Sequence, residues 1–218
     1  MSLLNTLGNR GQSSSTIPGV AAAIVTNNQD DQNLGRVKLR FPWLSDENET
    51  DWVRIATFMA GPERGSFFLP EVDDEVLVAF ENGDIHRPYV IGALWNGRHA
   101  PPETNSDRNN NIRKIRSRSG HEIIFNDDDS GRQEKIEIRT NAGHKIILDD
   151  SAGREKIEII DKTDNNKMVI DSVQNSINIE SAMQLKIKAN VIEIEGTTSL
   201  TIKSNAILTL QGLPVRIN

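Results

Sequence analysis

The chain has 218 residues with a formal net charge of −6; 36% are hydrophobic, 26% charged and only 5% aromatic, and there is no cysteine. The missing thiols exclude disulfides, thiol catalysis and thiolate metal sites and fit a reducing cytoplasm, while the acidic balance argues against binding driven by phosphate neutralisation. With few large rings, burial falls to Ile, Val and Leu, which favour narrow cores built from strands.

Residues 1–16 are small and polar, end in Ser13-Ser14-Ser15-Thr16, and read as a flexible N-terminal arm. Their apolar stretch is too short for a signal peptide, and no run of apolar residues is long enough for a membrane-spanning helix, so the expected product is made in the cytoplasm. Residues 17–102 carry five strand-like segments between turn residues: Val20 to Thr26, Arg36 to Phe41, Trp52 to Met59, Glu75 to Phe80 and Tyr89 to Leu94. Glu81-Asn82-Gly83-Asp84 predicts a tight hairpin turn. Five strands without a convincing helix predict a small barrel. Residues 103–111, after the double proline Pro101-Pro102, read as a linker.

From residue 112 to the end the sequence is repetitive. Ser119-Gly120-His121-Glu122-Ile123-Ile124-Phe125-Asn126-Asp127 returns as Ala142-Gly143-His144-Lys145-Ile146-Ile147-Leu148-Asp149-Asp150, and each copy is followed by Lys-Ile-Glu-Ile, at Lys135 to Ile138 and Lys156 to Ile159. A repeat of 21–23 residues in strand-forming sequence predicts a solenoid or β-helix. After Asp171 the unit shortens to an inward-outward-inward strand and a polar corner, with pairs at Ile177/Ile179, Leu185/Ile187, Ile192/Ile194, Leu200/Ile202, Leu208/Leu210 and Val215/Ile217. Two aliphatic side chains per unit cannot close a core within one chain. Three chains facing these stripes onto one axis bury them and answer one another's strand edges. The expected stem is therefore an intertwined, triangular trimeric β-helix over 112–218, a rod of roughly 60 Å at a strand spacing of about 4.7 Å.

The middle zone resembles a known family. Leu34-Gly35-Arg36-Val37-Lys38-Leu39-Arg40-Phe41-Pro42-Trp43 and the run from Gly65 to Gly97, with Pro70, Gly83, Asp84, Arg87, Pro88, Gly92, Asn96 and Gly97, are similar to the barrel of VgrG and phage baseplate assembly protein V spikes. Ser119-Gly120-His121-Glu122 resembles the start of that family's stem. The resemblance implies an all-β protein with an oligonucleotide/oligosaccharide-binding (OB) type barrel over 17–102. It further implies a homotrimeric, non-enzymatic spike that punctures a target envelope when a sheath contracts. Its implied partners are hub, baseplate and tube proteins at the barrel, and a PAAR-type cap at the tip, on Leu213, Pro214, Val215, Arg216, Ile217 and Asn218. Typical members carry a large hub before the barrel; here about 16 residues precede it. A separate hub protein is thus expected, which favours a phage tail or extracellular injection particle over type VI secretion. No effector domain is expected after Asn218.

Other chemistry finds less support. Asp127-Asp128-Asp129 and Asp149-Asp150 lack the spacing of a calcium loop, and His86, His99, His121 and His144 lack zinc spacing, so neither metal nor cofactor is expected. Glu71, Asp73, Asp74 and Glu75 sit in a strand context that favours solvent-facing charge over a glycosidase pair. Trp43, Trp52 and Trp95 offer stacking surfaces for single-stranded nucleic acid, but the acidic balance favours packing roles. The alternative reading is a trimeric tail fibre that binds or cleaves a surface glycan; the one aromatic residue after position 112, Phe125, weighs against it.

Overall fold

The computed structural model describes residues 17–44 and 49–216. The predicted arm over 1–16 lies outside them, as do Ile217 of the axial stripe and Ile217 and Asn218 of the tip. The chain divides into two units, 1–106 and 107–218. No described helix is long and apolar enough to cross a membrane.

The first unit holds β1 (Val20–Asn27), β2 (Lys38–Arg40), β3 (Arg54–Ile55), β4 (Ala60–Gly61), β5 (Arg64–Gly65), β6 (Glu75–Phe80) and β7 (Pro88–Ala93). Five of them form one sheet in the order β2-β1-β6-β7-β3. An antiparallel bridge between Val37 and Val53 joins the two ends, so the sheet curls back on itself. Alternation decides which face goes inside: Ala23, Val25, Val37, Leu39, Val53, Val76, Val78, Phe80 and Val90 form the core with Phe41, while Arg36, Lys38, Trp52, Arg54 and Tyr89 fall on the other phase.

Two local expectations are corrected. The segment Trp52 to Met59 pairs as a strand only at Arg54–Ile55, besides the single bridge of Val53. After the Ala56 amide donates to the Val90 carbonyl at 2.7 Å, the chain leaves the sheet for the separate hairpin β4–β5. The turn after β6 is also longer than a two-residue reversal. A 3₁₀ turn at Glu81–Gly83 places Asn82 at φ 53° and Gly83 at φ 78°. The loop closes only where the Glu81 amide meets the Arg87 carbonyl at 2.9 Å.

The second unit holds β8 (Ile112–Arg116), β9 (Glu122–Asn126), β10 (Lys135–Arg139), β11 (Lys145–Asp149), β12 (Lys156–Ile160), β13 (Asn166–Asp171) and β14 (Ser176–Ser181). They pair in chain order as one antiparallel sheet. The sequence repeat is therefore two strands of a meander, and the solenoid expectation is corrected over this region. Gly120 at φ 84° and Gly143 at φ 103° stand in the reversals before β9 and β11. Successive turns are laced together: His121 Nδ1 accepts the Asn141 amide at 3.2 Å, His144 Nδ1 the Lys162 amide at 3.2 Å, and Asn166 Oδ1 the Ala182 amide at 3.3 Å. Across 112–181 strand edges are thus answered within one chain, except at the outer edges of β8 and β14. After Ser181 no described residue joins a sheet.

Candidate assembly surface

The register of the second sheet sorts its side chains into two unlike faces. On one face two columns run across all seven strands. The first is Arg113, Phe125, Ile136, Leu148, Ile157, Ile170 and Ile177; the second is Ile115, Ile123, Ile138, Ile146, Ile159, Met168 and Ile179. Thirteen of these fourteen side chains are apolar. Arg113 is the exception, and its guanidinium pairs with Asp127 at 2.6 Å. At about 4.8 Å per strand the stripe is roughly 29 Å long. It lies open: Phe125 is 40% exposed, Ile159 50% and Ile177 64%.

The opposite face carries a grid of ion pairs, with Ile112, Ile124, Ile147, Ile160 and Val169 set among them. Lys156 meets Glu158 at 3.1 Å and Lys167 meets Glu180 at 3.1 Å. Glu122, itself buried, accepts a hydrogen bond from Arg139 Nε at 2.6 Å, with Arg116 at 3.4 Å and Lys114 at 3.8 Å. Burial pushes its carboxyl up, but Arg139 and the two other cations overrule this and hold it below the usual range. One face is therefore finished against water and the other is not.

Ile177 and Ile179, the first pair of the predicted axis, continue this stripe on β14. Leu185, Ile187, Ile192, Ile194, Leu200, Ile202, Leu208, Leu210 and Val215 follow outside any strand, all half-exposed or more. Leu213 in the tip is fully exposed. The stripe upstream of Ile177 was signalled in the sequence by Ile136/Ile138 and Ile157/Ile159 in the two Lys-Ile-Glu-Ile runs. Its strands recur at longer intervals than the seven or eight residues seen downstream, which hides the continuity.

In the first unit the family-like residues serve local architecture. Arg36 forks onto Asp30, with Nε at 2.8 Å and Nη2 at 2.7 Å. Asp30 is buried and also accepts the amides of Gln32 and Leu34, each at 3.1 Å. The Arg36 hydrogen bond is the main reason its carboxyl lies far below the usual range. Asp30 was not singled out in the sequence, because Asn27-Asn28-Gln29-Asp30-Asp31-Gln32-Asn33 has no pattern to mark it. Gly35 has φ 68°. The Pro70 carbonyl accepts Asn28 Nδ2 at 3.0 Å. Asp84 accepts the His86 amide at 2.9 Å, and Arg87 lies 3.6 Å from Glu81 and 3.8 Å from Asp84. Asn96 donates to Glu75 at 2.6 Å and accepts the Arg98 and His99 amides. Gly92 and Gly97 have open space where a Cβ would stand, so packing does not explain them.

A shallow groove of about 340 Å³ is lined by Trp52, Arg54, Glu81, His86, Arg87, Pro88 and Tyr89. Its rings already carry cations: Lys38 stands 5.3 Å from the Trp52 centroid and Arg54 4.7 Å from that of Tyr89. Trp43 tilts against Phe41 at 5.6 Å, and Trp95 is 70% exposed. The acidic clusters fold into turns: Asp128 accepts Ser130 Oγ and the Gly131 amide, each at 2.9 Å, Asp149 accepts the Ser151 amide at 2.9 Å, and Asp74 accepts the Glu71 amide at 2.9 Å. Among the described residues no three His, Asp or Glu side chains come together as metal ligands.

Residues 21–95 match the type VI secretion system/phage-baseplate injector OB domain family. Type VI secretion system spike protein VgrG3 of Vibrio cholerae is 40% identical over 74 residues, covering 32% of this chain and 7% of that protein. Type VI secretion system spike protein VgrG1c of Pseudomonas aeruginosa is 30% identical over 140 residues, 58% of this chain and 19% of its own length. That alignment covers more than the first unit holds, so it runs into the second. A Vibrio cholerae protein named actin cross-linking toxin VgrG1 is 39% identical over 74 residues, 32% of this chain and 7% of that protein. The chain thus spans less than a fifth of the length of these relatives. The resemblance read from Leu34 to Trp43 and from Gly65 to Gly97 is borne out.

Proposed function

We propose that this chain, whose residues 21–95 belong to the injector OB domain family of type VI secretion systems and phage baseplates, is the non-enzymatic central spike of a contractile tail or injection particle. The carrying observation is the open aliphatic stripe. Fully burying one such side chain stabilises by about 1.5–3 kcal/mol, so closing thirteen partly exposed ones contributes on the order of 10 kcal/mol per chain. Three copies facing their stripes onto a common axis achieve this and leave the charged grids outside. Residues 182–218 extend the axis from Leu185 to Ile217. Among the described residues, 182–216 hold no sheet partner in their own chain, so strands from neighbouring copies supply the ladder as an intertwined β-helix.

In this reading the barrel over 17–102, with the 1–16 arm, meets hub and tube structures, and residues 112–218 form the needle. Leu213, Pro214, Val215, Arg216, Ile217 and Asn218 seat a PAAR-type cap. Sheath contraction supplies the work, and the spike transmits it into the target envelope. The fibre alternative loses ground because Phe125 lies on the aliphatic stripe, leaving the charged face of the sheet without an aromatic platform for a sugar.

An affinity tag on the chain tests this in cells that make the particle. Electron microscopy of purified particles is expected to show the tag at the baseplate end, and particles from a deletion strain to lack central spike density. Sheathed particles without the chain, or label along lateral fibres, would contradict the assignment.

A further inference from the structure

Three exposed rings of the first unit, besides those of Trp43 and Trp95, are gathered on one small device. Phe58 is 97% exposed, Phe67 77%, Phe68 69% and Met59 54%, all on or beside the hairpin β4–β5. This hairpin is built, not merely extruded. Ala60 pairs with Gly65 and Gly61 with Arg64. Thr57 Oγ1 donates to the Ser66 carbonyl at 2.7 Å, and the Ser66 amide donates to the Met59 carbonyl at 3.1 Å. Gly65 has φ 146°, and a Cβ there would stand 2.3 Å from the Met59 carbonyl oxygen, so the geometry is written for glycine. Backbone hydrogen bonds thus hold four large apolar side chains out into water, at a standing cost to the isolated unit.

We propose that this hairpin packs on the barrel of a neighbouring copy of the same chain. The inference rests on the trimeric reading given above. Four side chains of this size cover roughly 600–800 Å² at about 150–200 Å² each. That is at most the roughly 800 Å² per partner that a free-standing specific interface uses, with nothing in reserve for the costs of association. It suffices between copies already joined, since a short tether raises local concentration to the millimolar range. Each barrel is tethered to its own stem strand by the segment after β7, so three barrels on one stem meet that condition. A separate protein would need further contacts beyond this patch.

The chain has no cysteine, so Phe58→Cys in the full-length protein gives a single thiol for a maleimide-benzophenone label. Native mass spectrometry first establishes the oligomer, and photolysis follows. In the trimer, most label is expected to cross-link to residues 17–106 of another copy, and the intermolecular product is expected to fall at least several-fold with Gly65→Ala, which breaks the hairpin. A trimer whose label attaches only within its own chain, or to nothing, overturns this contact and leaves the stem reading standing. A monomer overturns both.

Discussion

Ile159→Glu is expected to abolish the trimer, whereas Glu158→Gln, one residue away, leaves it intact. The two positions fall on opposite faces of β12. Ile159 lies in the second column of the stripe between Ile146 and Met168. In the assembled stem a glutamate there brings three carboxylates to one level of a dry axis without counter-charge. An uncompensated buried charge costs at least several kcal/mol per chain, or else the group protonates. Either result removes a large part of the stabilisation that association supplies. Glu158 faces Lys156 at 3.1 Å on the charged side, a half-buried pair whose loss acts within one chain and not on the aliphatic stripe. Native mass spectrometry of both variants reads the outcome. Equal oligomeric states would mean that the aliphatic face is not the contact.

Asp30→Ala is expected to lower the unfolding midpoint of the barrel by on the order of 10 °C while leaving the stem's oligomer unchanged. The substitution strands the Arg36 guanidinium and the Gln32 and Leu34 amides, which all converge on that carboxylate. The pH dependence follows from the direction of the shift. The Asp30 carboxyl is depressed from its ordinary 3.8, so its contribution is fully present above that value and is lost as pH falls below it. The wild-type barrel therefore loses stability from about pH 4 downward, and Asp30→Ala flattens that limb. Asp161 adds a second acid-sensitive point, in the other unit: Asn166 and Thr163 hold its carboxyl at about 2. Thermal melts by near-ultraviolet circular dichroism across pH 2–7 measure this; parallel acid limbs in the two proteins would contradict it.

Much of the barrel is legible in the sequence because its strands alternate. Glu75–Phe80 reads directly as in-and-out burial, and the Arg36–Phe41 pattern places Val37 and Leu39 in the core. What escapes is whatever depends on where the chain leaves a sheet. Trp52 to Met59 is apolar enough to read as one strand, and only the Ala56 amide on Val90 shows where pairing stops. The stem repeat carries the same ambiguity: period-2 burial with intervening turns fits strands stacked through corners and strands folded back as a meander. The antiparallel pairing of neighbouring strands in chain order decides for the meander. The aliphatic stripe was visible from Ile177 onward because short units expose their rhythm. Its upstream half, from Ile115 to Ile170, shows in the sequence only as the pairs Ile136/Ile138 and Ile157/Ile159, and becomes continuous once the register aligns strands separated by longer turns. Asp30 was beyond sequence reading, since its meaning comes from Arg36 and two amides folding onto it.

The shared stem is tested most directly by light scattering on the purified full-length chain, with an unheated denaturing gel run alongside. The expected result is a species of three times the 24.3 kDa of one chain, which resists detergent until boiled because its interchain strand pairing is slow to open. A well-folded monomer with its aliphatic face stable in water would contradict the account.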